Sequence, residues 1–287
     1  MKVDRDLLRR LAGLRFGARG LATGKRAGDR RSRAKGQGIE FADFREYGVG
    51  DDLKLVDWNV YERLGMVLVR LFHEDRNLRI RILLDASPSM EAKLDQAGTL
   101  AAGLALVGLA HRDSVELATA PWRAPVAGND LQALPAVLAW LEPIGSGDAE
   151  PVRRSLLAQA GGVRSDRTVL VSDLLWDDET LEGVLEALAA SSEAPLVVQT
   201  LGDAEKSPDL EGPVTWVDAE DGTELAWDGT GDDVGRYQAL FQTWLDEIAR
   251  RCRARRITWI PVYTADAIDR VFVDALARAG VVGSATA

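Results

Sequence analysis

Apolar positions in this chain follow two periods. Five short apolar runs read as strands: Arg79 to Leu84, Val115 to Ala120, Thr168 to Ser172, Leu196 to Leu201 and Ile257 to Val262. Between them the apolar residues recur at helical spacing, over Glu91 to His111, Leu131 to Leu141, Pro151 to Gln159, Glu179 to Ser191 and Val234 to Cys252. In the last of these, Tyr237, Phe241, Trp244, Leu245 and Ile248 share one stripe. A final helix is expected over Ala265 to Ala279. Buried strands separated by helices of this length predict an α/β fold: a doubly wound, mainly parallel sheet covered on both faces, in three layers. Val214 to Trp227 alternates around Asp221-Gly222 and adds a β-hairpin insertion.

Upstream the pattern changes. Leu7, Leu8, Leu11 and Leu14 predict a short amphipathic helix over Asp4 to Phe16, whose apolar side must dock on a surface. Gly17 to Gly38 is rich in Gly, Arg and Lys and reads as an arm. Order signals return over Ile39 to Asn77: aromatics at Phe41, Phe44, Tyr47, Trp58 and Tyr61, then a strand over Met66 to Phe72, with no helical period through the middle. The expected organisation is a basic helix and arm over 1–38, a separate ordered segment over 39–77, and the α/β domain over 78–287.

Charge divides along the same line. The 287 residues carry a net charge of −10, but Met1 to Gly38 holds twelve Lys or Arg against three Asp, so the arm is +9 and the remainder −19. A nucleic-acid partner is not expected, because the acidic remainder repels a polyanion and the arm has no interleaved aromatics for base stacking. A composition of 46% hydrophobic and 28% charged residues is that of a globular protein. The longest uncharged run, Gln96 to Ala110, is too short to span a bilayer. One cysteine, Cys252, precludes an intramolecular disulfide. With no signal-peptide pattern after Met1, the expectation is a cytoplasmic protein.

Ligands of open parallel sheets sit outside the carboxyl ends of the strands. Asp85-Ala86-Ser87-Pro88-Ser89-Met90 follows the first strand of the domain, and Asp173 follows the strand ending at Ser172. Two carboxylates and two hydroxyls form an all-oxygen set suited to a hard cation such as Mg²⁺. The same residues also suit plain capping of the helix that starts near Glu91, and spacing alone does not separate the two. Gly50-Asp51-Asp52 and Asp57-Trp58 form a second acidic cluster, read as a turn before a buried Trp. Enzyme signatures are missing around Asp85: no glycine fingerprint follows the strand, and an aspartyl phosphotransferase would need a second Asp where Ser87 stands. His73 and His111 have no nucleophile motif beside them.

DASPSM after an apolar strand resembles the Asp-x-Ser-x-Ser element of the metal-ion-dependent adhesion site in von Willebrand factor A domains, and VLVSDLL around Asp173 resembles that fold's second aspartate loop. Gly38 to Asp75, GIEFADFREYGVGDDLKLVDWNVYERLGMVLVRLFHED, is similar to the signature of the bacterial domain of unknown function 58 family, where it precedes a von Willebrand factor A-like domain. RDSVELA from Arg112 and VDAEDGTEL from Val217 resemble the same family. The resemblance implies a six-stranded doubly wound fold, a divalent cation on Asp85, Ser87, Ser89 and Asp173, and a non-enzymatic protein-interaction module. It also implies a partner, since members are commonly encoded beside MoxR-type AAA+ ATPases and regarded as their adaptors. The threonine that completes such a site is replaced: Gly147 falls on its position, and Ser146 substitutes only if the loop shifts by one residue. The expectation is thus a metal-assisted adaptor that grips a partner carboxylate. The alternatives are a Mg²⁺-dependent hydrolase on the same Asp/Ser cluster and nucleic-acid binding by the basic arm.

Overall fold

The computed structural model describes residues 5–17, 39–48, 50, 51, 53–74, 77–120, 123–142, 145, 164–208, 214–219, 222–227 and 233–284. The chain divides into two compact units, Met1–Thr23 with Leu78–Ala287 and, separately, Gly24–Asn77. The larger unit opens with helix α1 (Arg5–Ala12) and strand β1 (Leu14–Phe16). The expected helix over Asp4 to Phe16 therefore stops early, because Leu14–Phe16 pairs antiparallel with a strand at the far end of the chain.

The smaller unit holds β2 (Ile39–Glu46), α2 (Trp58–Leu64) and β3 (Leu68–Glu74), with β2 and β3 antiparallel. Helix α2 is where no helix was expected. It buries none of its side chains, so it writes no apolar stripe into the sequence. Its start is fixed locally instead: the Asp57 carboxylate accepts from Asn59 N–H (3.0 Å) and Val60 N–H (3.2 Å), and Gly65 at φ 67° ends it. Trp58 is 58% exposed, which corrects the expectation of a buried Trp. Asp51 does serve a turn, accepting from Gly48 N–H and pairing with Arg45. Asp52 lies outside the described residues.

In the larger unit, β4 (Arg79–Asp85), α3 (Leu94–Ala110), β5 (Ser114–Ala120), β6 (Arg123–Gly128), α4 (Leu134–Leu141), β7 (Arg167–Ser172), α5 (Asp178–Ser191) and β8 (Leu196–Leu201) follow in order. Then come α6 (Asp203–Lys206), the hairpin β9 (Val214–Val217) and β10 (Glu224–Trp227), α7 (Asp233–Ala254), β11 (Thr258–Tyr263), α8 (Ile268–Arg270) and β12 (Val282–Ser284). The central sheet has six strands in the order β11-β8-β7-β4-β5-β6. Five are parallel, and β6 runs antiparallel to β5 at the edge. This Rossmann-like arrangement matches the expected mainly parallel sheet, with β6 added. Its Pro125 lacks an N–H and fits only an edge or a bulge, and the β5–β6 register indeed shifts between Leu117 and Thr119.

Alternate side chains of the central strands feed two apolar layers. Leu83, Leu170 and Val197 pack under Leu181, Val184, Leu185 and Leu188 of α5 and Ile248 and Cys252 of α7. Ile82, Leu84, Val169, Val171 and Val198 pack on the opposite face with α3 and α4. Each such buried side chain contributes roughly 1.5–3 kcal/mol relative to exposure. Helix α3 is buried from Ala97 to Leu109 except at Thr99. A Cβ on Gly103 would lie 2.7 Å from the Phe272 ring and 2.9 Å from Leu11, so the glycine is what lets α1 and the C-terminal turns close on α3. Leu7 and Leu11 complete that docking.

The last helical segment begins at Ile268 and continues as π-turns over Val271–Leu276, narrower than the expected Ala265 to Ala279. The helix expected over Pro151 to Gln159 and the arm over Gly17 to Gly38 fall outside the described residues, Gly17 excepted. Among the described residues no helix is long and apolar enough to cross a membrane.

Candidate cation site at the strand tips

The parallel strands β4, β7 and β8 all end at one edge of the sheet, so the residues after them share a neighbourhood. Asp85 is the last residue of β4 and is fully buried. Its Oδ1 accepts from Ser87 N–H at 2.9 Å, which folds the chain back over the carboxylate, and its Oδ2 accepts from Ser172 Oγ at 2.7 Å, across to β7. The Ser87 and Ser89 hydroxyls stand 3.1 Å apart, in hydrogen-bond contact. Pro88 then starts a 3-10 segment, Pro88–Lys93, that leads into α3.

Asp173 follows Ser172 and is also fully buried. Its Oδ1 accepts from Leu175 N–H at 3.1 Å, and its backbone carbonyl accepts from the Gln199 amide of β8 at 2.9 Å. The next residue, Leu174, is buried at φ 62°, a left-handed conformation unfavourable for Leu. Ser172 holds it there, its Oγ accepting from Leu174 N–H at 3.0 Å. A strained residue kept in place by hydrogen bonds commonly marks a working loop.

Burial, helped by the nearby charge of Asp173, raises the Asp85 pKa to about 7 against the lowering effect of the Ser172 and Ser87 hydrogen bonds. The structure thus brings Asp85, Ser87, Ser89 and Asp173 together, as the sequence predicts. Ser146 and Gly147 lie outside the described residues. His111 sits in the turn at the far end of α3 and takes no part.

One member of the site was not foreseen. Lys93, 2% exposed, places its Nζ 2.7 Å from Asp173 Oδ2 and also pairs with Glu205 of α6. Met90 and Lys93 are three residues apart on the 3-10 segment, where side chains eclipse, so both turn inward. Burial pulls the Lys93 ammonium down, but Asp173 and Glu205 together outweigh it and hold the pKa above the ordinary value. Glu205 is itself fixed: its Oε2 accepts from Gly202 N–H at 2.8 Å, and its backbone carbonyl accepts from the Tyr237 hydroxyl at 2.6 Å. The sequence signal was a lysine directly before the apolar face of α3, which reads as an ordinary helix-start charge.

The donor set fits a hard divalent ion in chemistry, being all carboxylate and hydroxyl oxygen. Among the described residues no group of three or more His, Cys, Asp or Glu side chains could hold a metal, so such an ion would depend on the serines as well as on Asp85 and Asp173. One donor, Asp173, is already held by a cation of the chain's own.

Among solved structures the chain is similar to the conserved hypothetical protein BatB from Bacteroides thetaiotaomicron, at 13% identity over 71% of this chain and 98% of that one, TM-score 0.41. It is also similar to an aerotolerance-related membrane protein from Bacteroides fragilis NCTC 9343 bearing multiple mutations to serines, at 16% identity over the same shares, TM-score 0.42. No curated protein matches. The family described as protein of unknown function DUF58 matches residues 43–240, most of the chain from β2 into α7, and the chain belongs to that family.

Proposed function

We propose that this chain is a non-enzymatic protein-interaction module of von Willebrand factor A-like fold, acting in the cytoplasm as an adaptor for a MoxR-type AAA+ ATPase. The observation that carries this reading is the convergence of Asp85, Ser87, Ser89 and Asp173 at the strand tips, with both carboxylates buried and aligned by backbone and serine donors. Asp85, Ser87, Ser89 and Asp173 would hold a divalent cation such as Mg²⁺. When bound, it supplies an open coordination position for a carboxylate of the partner. The chain's own residues do the rest. Ser172 orients Asp85, Leu175 N–H orients Asp173, and the Pro88 turn presents the serines, of which Ser89 is half-buried and nearest the surface.

One feature speaks against a hydrolase on the same cluster. Lys93 is held protonated, so this nitrogen at the site does not serve as a general base.

The test is isothermal titration of a purified MoxR-type ATPase into the full chain, with Mg²⁺ and with excess EDTA. Binding that weakens at least about tenfold in EDTA and in Asp85→Ala supports the metal-bridged contact. Unchanged affinity in both overturns it.

A further inference from the structure

We infer that Lys93 is a tethered cation that occupies the Asp173 side of the strand-tip site and competes there with any divalent ion, so that it sets how tightly the site binds metal. The inference deepens the reading above and rests on it only in taking Asp173 as a metal donor.

The geometry is that of an occupied seat. The ammonium lies 2.7 Å from Asp173 Oδ2 at a position where both partners are within 3% of complete burial. A divalent ion engaging the same oxygen would bring two positive charges against a third at close range, inside a region that screens poorly. Asp173 therefore cannot serve both cations at full strength. Lys93 nevertheless has somewhere to go. Glu205 already contacts it from the other side, and the Gly202 N–H fixes that carboxylate from β8's loop. On losing Asp173 the ammonium keeps one carboxylate, so the exchange leaves no unpaired buried charge.

Charge bookkeeping across the cluster agrees. Lys93 balances one of the two carboxylates it touches, Asp173 and Glu205, and the other leaves the tip attractive to a further cation. The serines and Asp85 offer that cation its remaining oxygens. The other buried carboxylates of the domain, Asp113 and Asp166, accept from the backbone N–H groups of Leu78 and Arg79 at the opposite end of the sheet, and the Arg79 guanidinium 4.0 Å from Asp166 is half-exposed where Lys93 is buried.

The probe is Mn²⁺ followed by electron paramagnetic resonance on the full chain. Lys93→Met is expected to bind Mn²⁺ about tenfold tighter than the wild type or better, and Lys93→Met/Asp173→Asn to lose that gain. Binding in Lys93→Met that is no tighter than wild type overturns the inference. Failure of the adaptor reading looks different: ATPase binding would ignore EDTA while the Mn²⁺ series still behaved as stated. If Lys93→Met does not fold, acylation of wild-type lysines read by mass spectrometry decides. Lys93 should resist modification in EDTA while exposed Lys206 reacts, and Mn²⁺ should raise the Lys93 rate. A Lys93 rate in EDTA equal to that of Lys206, or one that Mn²⁺ leaves unchanged or lowers, overturns it.

Discussion

The two ends of the central sheet both bury aspartates, and they use them differently. At the amino-terminal end, Asp113 accepts from Leu78 N–H at 2.8 Å and Asp166 from Arg79 N–H at 2.7 Å, so each closes a backbone donor where β4 begins. At the carboxyl-terminal end, Asp85 and Asp173 also accept backbone N–H groups, but serine hydroxyls gather around them and a buried ammonium joins them. Burial, with the charge of a neighbouring aspartate, raises a carboxylate's pKa at both ends, to about 6 at Asp113 beside Asp166 and to about 7 at Asp85 beside Asp173. A perturbed aspartate is therefore not by itself a site. Convergence with hydroxyls and a buried ammonium is what sets the strand tips apart.

The sharpest way to break this contrast is to remove one carboxylate from each end. Asp173→Ala takes one of two carboxylates from the buried Lys93, which keeps Glu205, and strands the Leu175 N–H; it should cost roughly 2–4 kcal/mol in urea unfolding, short of the loss for a wholly unpaired buried charge. Asp113→Ala strands a backbone N–H and should cost about 1–3 kcal/mol. Equal losses would mean that both ends are structural in the same sense. Next in size is Ser172→Ala, which removes the donor to Asp85 Oδ2 and the acceptor for Leu174 N–H. A loss of about 1–3 kcal/mol is expected by the same measurement, and a neutral result would show that the Asp173 loop does not depend on that hydroxyl.

Titration sharpens the comparison further. Both Asp85 and Asp113 have folded pKa values above the ordinary 3.8, so the folded state favours their protonated forms. Their contribution to stability is full below about pH 4 and is lost as pH rises, through about 6 for Asp113 and about 7 for Asp85. Thermal unfolding in EDTA should show the decline, with Asp113→Asn flattening the part below about pH 6 and Asp85→Asn flattening the part that extends to about pH 7. Added Mn²⁺ should move only the Asp85 portion; a shift in both would remove the distinction. Smallest of all, Ser89→Ala should change stability by less than about 1 kcal/mol, since Ser89 is half-buried. It should still weaken Mn²⁺ binding if the serines are donors.

How much of this could be read from the residues depends on how each feature is written. Strands buried on both faces print long apolar runs, so five of the six central strands were legible to within a residue or two, and strand-tip logic led straight to Asp85 and Asp173. Edge strand β6 was not, because RAPVAG is short and carries Pro125. Helix α2 was not, because a helix that buries nothing has no apolar period. Lys93 escaped for a different reason. Its inward direction comes from the 3-10 turn and its meaning from Glu205, a residue 112 positions away on α6, held by the Gly202 N–H. Spacing in sequence contains no trace of such a meeting.

The Lys93–Asp173 contact also bears on how the chain folds. A positive charge fixed to the backbone is present at a local concentration set by chain geometry and not by the medium. Asp173 and Glu205 thus carry their own neutralising partner from the moment the sheet closes, and packing them needs no divalent ion to offset their charge. Ion capture, on this account, comes after folding and leaves the core as it was.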